Sequence, residues 1–345
     1  MKILLVGIDR IPHLGRSFRS ALTRMGHEVR VVDPRRAYTV LDRRPLRPFK
    51  KRIFGETPSG QALFRLLLRR STTAFRPDLI LAAGACLSAD LIVELRDRTA
   101  ARVAMYSTDN PFNPAVSQDF VRQALPAWDV IATPRSATIP ELRGHCSGDV
   151  FYLPFGYDPD LHYPEAPSTD AERTHFGSDA SFLGGCDVDR VPYLDPLARA
   201  DDLNVRFFGG YYDFTPALKK RSSPPAYGRD YRLAMGGTKV AICLVRRANA
   251  DGHVMRTFEA PACGAFLLAE RTPDHEEMFR EGQEAVFFGS PEEMLDKTRY
   301  YARNSKARIK IATGGYRRVT ETGNTYEDRL KALLDRLAEN RNWSL

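Results

Sequence analysis

His253-Val-Met-Arg-Thr-Phe-Glu-Ala-Pro-Ala-Cys-Gly-Ala-Phe-Leu-Leu-Ala-Glu-Arg271 reads as a short helix carrying one acidic residue, Glu259. Gly264 closes that helix, and the apolar run 265–269 then forms a strand. Pro261 removes one helical N–H and is expected to kink or shorten the helix. Asp251 stands eight positions before Glu259, a D-x7-E spacing. In a helix entered from a loop, that spacing sets one carboxylate before the N-terminus and the other just over two turns away. Helix N-terminal amides attract anions, so Arg256 and those amides are expected to hold a phosphate between two hydrogen-bonding acids. The constellation suits a nucleotide-sugar diphosphate.

Outward from this helix–strand unit, apolar runs alternate with helical patterns along the whole chain. Strands are expected at 2–8, 29–33, 78–83, 102–107 and 129–133, with helices near 14–26, 58–75, 87–98, 115–125 and 137–143. Continuous rather than alternating apolar residues, as at 3–6 and 79–83, mark strands buried on both faces of a parallel sheet. The pattern restarts with strands at 180–183, 204–208, 239–244, 265–269 and 285–288. Ser290-Pro-Glu-Glu293 reads as a capping box and Thr272-Pro-Asp as another helix start. The fold class is α/β, with two Rossmann-like doubly wound domains facing a cleft: residues 1–155 on the acceptor side and 165–323 on the nucleotide-sugar side. The last segment, 324–345, holds a helix with Leu330, Leu333, Leu334 and Leu337 at helical spacing.

Two stretches carry a family resemblance. The run Glu259-Ala-Pro-Ala-Cys-Gly264 resembles the second half of the E-x7-E motif of group-1 retaining glycosyltransferases, with Asp251 where that family usually has Glu. The whole 253–271 stretch is similar to the signature of CgeB-like, spore-maturation-type glycosyltransferases. Val150-Phe-Tyr-Leu-Pro-Phe-Gly-Tyr-Asp-Pro-Asp-Leu-His-Tyr-Pro164 resembles the interdomain crossover of the group-1 enzymes, and its Pro and Gly punctuate a strand end on physical grounds as well. The resemblance implies the GT-B fold, with the 324–345 helix packing back on the first domain, and sugar transfer from a nucleotide-diphosphate sugar. It assigns the donor ribose to Glu259 and, less directly, sugar hydroxyls to Asp251.

Further candidates follow from position at strand ends. Arg246 follows the strand 240–245, and with Arg256 it is a candidate to stabilise charge on a leaving diphosphate. His253 and Thr257 are donor-side candidates, as are Gly184 and Gly185, whose missing side chains let backbone approach the diphosphate. Gly209, Gly210 and Tyr211 end the 204–208 strand and border the nucleobase in this reading, with an aromatic ring to stack. Asp187-Val-Asp189 spells a D-x-D metal motif, but three residues match by chance often, and no essential metal and no cofactor beyond the co-substrate is expected. On the acceptor side stand His13, Gly15, Asp109 and Asn110, with Asp109 as general base should the reaction invert.

Composition excludes little else. No apolar run reaches membrane-spanning length, and residues 1–8 read as a first strand rather than a signal peptide. Cysteines 86, 146, 186, 243 and 263 form no metal or disulfide pattern, which points to a reduced, cytoplasmic setting. The net charge of +8 is concentrated at 35–52, where eight basic residues face one acid. This patch is either a solvated loop or a peripheral contact with anionic membrane or an acidic acceptor; no nucleic-acid module accompanies it. The acceptor is a glycan, a lipid or a protein. Two alternatives stand beside transfer: a sugar-nucleotide epimerase or hydrolase on the same scaffold, and a non-catalytic nucleotide-sugar-binding protein.

Overall fold

The computed structural model describes residues 1–35, 58–84, 87–114 and 117–339. The basic stretch beyond Arg35, and Cys86, lie outside the described residues. The chain divides into two compact units, Met1–Pro154 with the segment from Arg329 onward, and Phe155–Asp328.

The first unit is built on six parallel strands: β1 (Lys2–Val6), β2 (Glu28–Val32), β3 (Leu79–Ala83), β4 (Arg102–Tyr106), β5 (Val130–Thr133) and β6 (Asp149–Tyr152), in the order β2-β1-β3-β4-β5-β6. β3 is buried along its full length and β1 at all but its first residue, as continuous apolar runs demand of central strands. β2 at the edge alternates instead. The helices Leu14–Arg24, Pro58–Phe75, Ala89–Thr99 and Ile139–His145 connect the strands. The helix expected near 115–125 is shorter, Asp119–Gln123, because Pro126 ends it in a 3-10 turn, Leu125–Ala127.

The second sheet runs β12-β11-β10-β7-β8-β9, again parallel throughout. Its strands are β7 (Ser178–Leu183), β8 (Val205–Phe208), β9 (Ser222–Ser223), β10 (Thr238–Cys243), β11 (Leu267–Glu270) and β12 (Val286–Phe288). The chain winds outward from β7 to β9 on one side, then returns to β10 and winds outward on the other. The order therefore reverses between β7 and β10, and loops beyond the carboxyl ends of those two strands open a crevice there.

Two helix starts follow their sequence signals: Thr272 and Ser290 each accept the N–H three residues on. Ser290 makes only half a capping box, since the Glu293 carboxylate takes the Gly289 N–H instead. Both chain connections of the second unit run side by side: Tyr157 N–H donates to Asn324 O and Tyr326 N–H to Tyr157 O. Gly156 is required there, because a Cβ would lie 2.6 Å from Asn324 O. That pairing keeps both 155–164 and 324–328 with the second unit.

The last helix, Tyr326–Glu339, buries Leu330, Leu333, Leu334 and Leu337. Within the first unit its Arg336 pairs with Asp149 at 2.5 Å and lies over the Phe151 ring. Leu333, fully buried, is the test of this packing. Leu333→Ala should destabilise the protein by about 2–5 kcal/mol, read as a lower midpoint in urea unfolding; an unchanged midpoint would mean that the helix carries no load.

Candidate functional site

The crevice of the second sheet is built on close backbone approach. A Cβ on Gly209 would sit 1.9 Å from Gly184 O, so the loops after β7 and β8 pack as they do only with glycine at 209. Tyr212 donates to the same carbonyl at 2.8 Å and stacks on Phe207. Cys186 N–H bonds Gly210 O and Gly184 N–H bonds Phe208 O. Tyr211, in the left-handed region at φ 65°, is 77% exposed. Its ring lies 3.3 Å from where a Gly185 Cβ would be. An exposed aromatic held in a sparsely populated conformation beside a glycine backbone fits a stacking surface.

Two guanidinium groups occupy the floor. Arg256 lies over the Phe182 ring at 5.5 Å and against the Gly184 backbone. Its Nε is buried without a hydrogen-bond partner, and among the described residues no carboxylate pairs with it. Arg190, not singled out from the sequence, lies over the same ring at 5.4 Å and donates to Gly185 O at 2.8 Å. Burial, reinforced by the charge of Arg256, pushes the Arg190 guanidinium below its ordinary value. Like charges crowded beside glycine backbone make an anion site. Arg246 is close by but approaches Asp187 Oδ2 at 3.2 Å, without the angle of a hydrogen bond. Asp187 is also 3.6 Å from Arg190. The D-x-D aspartate is thus engaged with two arginines, and among the described residues no cluster of three metal-ligating side chains occurs.

The helix after β10 departs from expectation at its start. It spans Arg256–Ala262, so Glu259 lies in the first turn rather than two turns in. Three of its leading amides are taken by nearby carbonyls, Thr257 N–H by Val254 O and Phe258 and Glu259 N–H by Met255 O. Pro261 and Gly264, at φ 79°, end the helix early.

Glu259 is 7% exposed; its Oε2 accepts from Tyr231 at 3.3 Å and its Oε1 lies 3.6 Å from His162 Nε2. Burial, with the Glu259 charge adding, holds the Tyr231 phenol well above its ordinary value, so it remains a donor. Asp251 sits in the loop closed by its own N–H on Arg246 O, after Ala250 in the left-handed region, near enough to bear on Arg190.

His253 and Thr257 do not face a ligand. His253 is 1% exposed: Nε2 accepts the Phe155 N–H at 3.1 Å and Nδ1 donates to Asp274 at 2.9 Å, which engages both ring nitrogens. Gly252 makes room, since a Cβ there would lie 2.4 Å from the Asp274 carboxylate. Thr257, fully buried, bonds His275 Nε2 at 2.9 Å. His275 Nδ1 in turn donates to Glu270 O at 2.6 Å, and burial pushes this ring down to about 4. These residues brace the helix from behind. Glu270 likewise holds the loop after β10 through Val245 N–H and Arg247.

In the first unit, Asp109 lines a cavity of about 280 Å³ at the carboxyl ends of β3 and β4, with Gly84, Ser107, Thr108, Ser117, Gln118 and Phe120. Asn110 is occupied in its own turn, accepting the Phe112 N–H. His13 begins the first helix and accepts from Arg35 at 2.7 Å; burial and that charge lower its pKa. Gly15 is forced by contact, since a Cβ would lie 2.7 Å from Ile8 O.

Residues 190–335 match the family model described as glycosyl transferase-like. No curated protein sequence matches the chain. Among solved structures, HepE of Anabaena in complex with UDP-glucose is similar at 13% identity, 98% of this chain and 100% of that one, with a TM-score of 0.67. Sucrose-phosphate synthase of Thermosynechococcus elongatus is similar at 13% identity, 99% and 100% coverage and a TM-score of 0.67. A putative UDP-N-acetylglucosamine 2-epimerase of Listeria monocytogenes is similar at 11% identity, 99% and 97% coverage and a TM-score of 0.55. At such identities the likeness is one of fold, and that fold is GT-B. The glycosyl transferase-like match lies within that fold, over less than half of the chain. No described helix is long and apolar enough to cross a membrane.

Two outcomes test this geometry. Gly209→Ala should displace the loop after β7 and abolish nucleotide-induced thermal stabilisation in a protein that still shows its native circular dichroism. The pH dependence has a definite sign: His275 takes up a proton more readily unfolded, near 6.5, than folded, near 4. Stability should therefore fall as pH drops through that window, by up to about 3 kcal/mol. The loss should be smaller in His275→Gln, compared by urea unfolding at pH 7 and 4.5.

Proposed function

We propose that the enzyme moves a sugar from a nucleoside-diphosphate sugar to a glycan, glycolipid or protein acceptor, with retention at the anomeric carbon and without an essential metal. The carrying observation is the pair Arg190 and Arg256 against the Phe182 ring, with the Arg256 Nε unpartnered, at the point where the strand order reverses. In this reading the diphosphate lies on the guanidinium groups against Gly184 and Gly185, the base stacks on Tyr211, and Glu259 accepts from the ribose. Asp251 binds sugar hydroxyls.

As the anomeric C–O bond breaks, negative charge gathers on the leaving diphosphate, and positive groups fixed in advance stabilise it most where the charge is greatest. The acceptor oxygen forms its bond to the anomeric carbon on the face the diphosphate leaves, and its proton passes to a diphosphate oxygen. No separate base is needed for that course; Asp109 would serve as one only for inversion. Arginine takes the role a metal would otherwise fill, and the engagement of Asp187 with Arg246 and Arg190 supports this.

The epimerase or hydrolase reading shares the scaffold, and His253 and His275, being sealed behind the site, speak against it. A CgeB-like subfamily, a cytoplasmic location and a membrane contact through 35–52 belong to the same proposal. Thermal shift with UDP-, GDP-, dTDP- and CMP-sugars, together with assay of released nucleotide, tests the donor site. One nucleoside diphosphate should stabilise the protein, and Arg256→Ala should weaken that binding about 10- to 100-fold, the loss expected of a charge-assisted hydrogen bond. Chelator should leave turnover unchanged, whereas inhibition reversed by added manganese would sink the metal-free course.

A further inference from the structure

The crossover segment carries a histidine that the donor-site reading leaves unused. His162 accepts the Asp158 N–H on Nδ1 at 3.2 Å, and its own N–H donates to Asp158 O at 2.8 Å, closing a turn over 158–162. Asp158, 2% exposed, stiffens that turn by accepting the Asp160 N–H at 3.1 Å. With Nδ1 an acceptor, the proton of the neutral ring resides on Nε2. Nε2 faces Glu259 Oε1 at 3.6 Å. The ring also stands edge-on to Tyr231, 5.4 Å between centroids at 74°, and Tyr231 donates to Glu259 Oε2. One oxygen of the carboxylate is thus aimed by His162 and the other by Tyr231.

We propose that His162 is the positioning residue of Glu259 and sets the enzyme's preference for a ribose over a 2′-deoxyribose donor. The proposal rests on the reading of Glu259 as the ribose ligand. An ionised carboxylate has about four acceptor positions. Tyr231 fills one by a hydrogen bond, and His162 Nε2, at 3.6 Å and so beyond hydrogen-bond length, faces a second, which leaves two open on the carboxylate, the number a vicinal diol fills. A 2′-deoxyribose fills one, and a buried acceptor without a donor is penalised strongly. Without the Nε2–H, Tyr231 alone orients the carboxylate, and the two remaining positions are held less firmly toward the diol.

The test compares UDP and GDP with their 2′-deoxy forms by calorimetry, in the wild type, His162→Asn, His162→Gln and Glu259→Gln. Asn keeps an acceptor for the Asp158 N–H but lacks the outer donor; Gln keeps a donor near the Nε2 position. We expect His162→Asn to weaken the ribonucleotide about tenfold while barely changing the deoxy form, so that discrimination collapses. In His162→Gln much of the discrimination should return, and with sugar donors the Asn change should appear in KM more than in kcat. A merely structural role would weaken both nucleotides alike and leave their ratio intact, which would overturn the proposal. Discrimination that depends on Glu259 but is untouched by His162→Asn would overturn it while sparing the donor-site reading. Absence of discrimination in the wild type, or its survival in Glu259→Gln, would overturn that reading and this proposal with it.

Discussion

Arg190 and Arg256 stand against one phenyl ring, and holding two like charges there is the constraint around which the donor-side unit is arranged. Burial disfavours the charged form of Arg190 and the second guanidinium disfavours it further, against which Asp187 and Asp251 act. The fold holds it by other means. Arg190 is tied to the carbonyls of Gly185 and Leu244, so its position follows from the ends of two neighbouring strands, β7 and β10. Arg256 is carried by a helix whose first turn is fastened from behind through Thr257 and His275. Backbone contact at Gly184 and Gly209 fixes the rim. The polar core behind the site thus holds the two guanidinium groups close together in front of it.

This division of labour explains what was legible in the sequence. Continuous apolar runs announced the central strands, and their positions lie within a residue or two of those observed at β1, β3, β4, β7, β8 and β10. Such runs are long, unambiguous and insensitive to tertiary detail. The short β9, two residues long, has no pattern to read. The Glu259 motif and the glycines at 184 and 209 were visible because each residue type is demanded locally, by charge or by the absence of a side chain.

The misreadings share one cause. His253 and Thr257 lie inside the motif but point into the core, because Asp274 and His275, farther along the chain, supply their partners. A motif says which residues travel together, not which face each presents. Arg190 escaped notice for the converse reason: it sits in an unremarkable D-R pair, and only the approach of β7 and β10 makes it a neighbour of Arg256. At the helix N-terminus the carbonyls of Val254 and Met255 take the Thr257, Phe258 and Glu259 amides. Local backbone geometry decided that point, and no side-chain pattern records it.

The same constraint links affinity to stability. An anion seated between two guanidinium groups removes a repulsion the empty protein carries, so part of the binding energy is relief of strain rather than new contact. Any ligand that binds only the folded state stabilises it by about 2.7 kcal/mol at a hundredfold excess over its Kd. The helix Arg256–Ala262 and the loop before it are braced from behind at His253, Thr257 and Glu270. A site arranged in this way is most ordered when occupied by the group that bears the most negative charge. In a transfer reaction that group is the departing diphosphate, whose charge grows as the anomeric bond breaks. In the transfer proposed above, positive charge fixed at this place would favour the transition state over the bound donor.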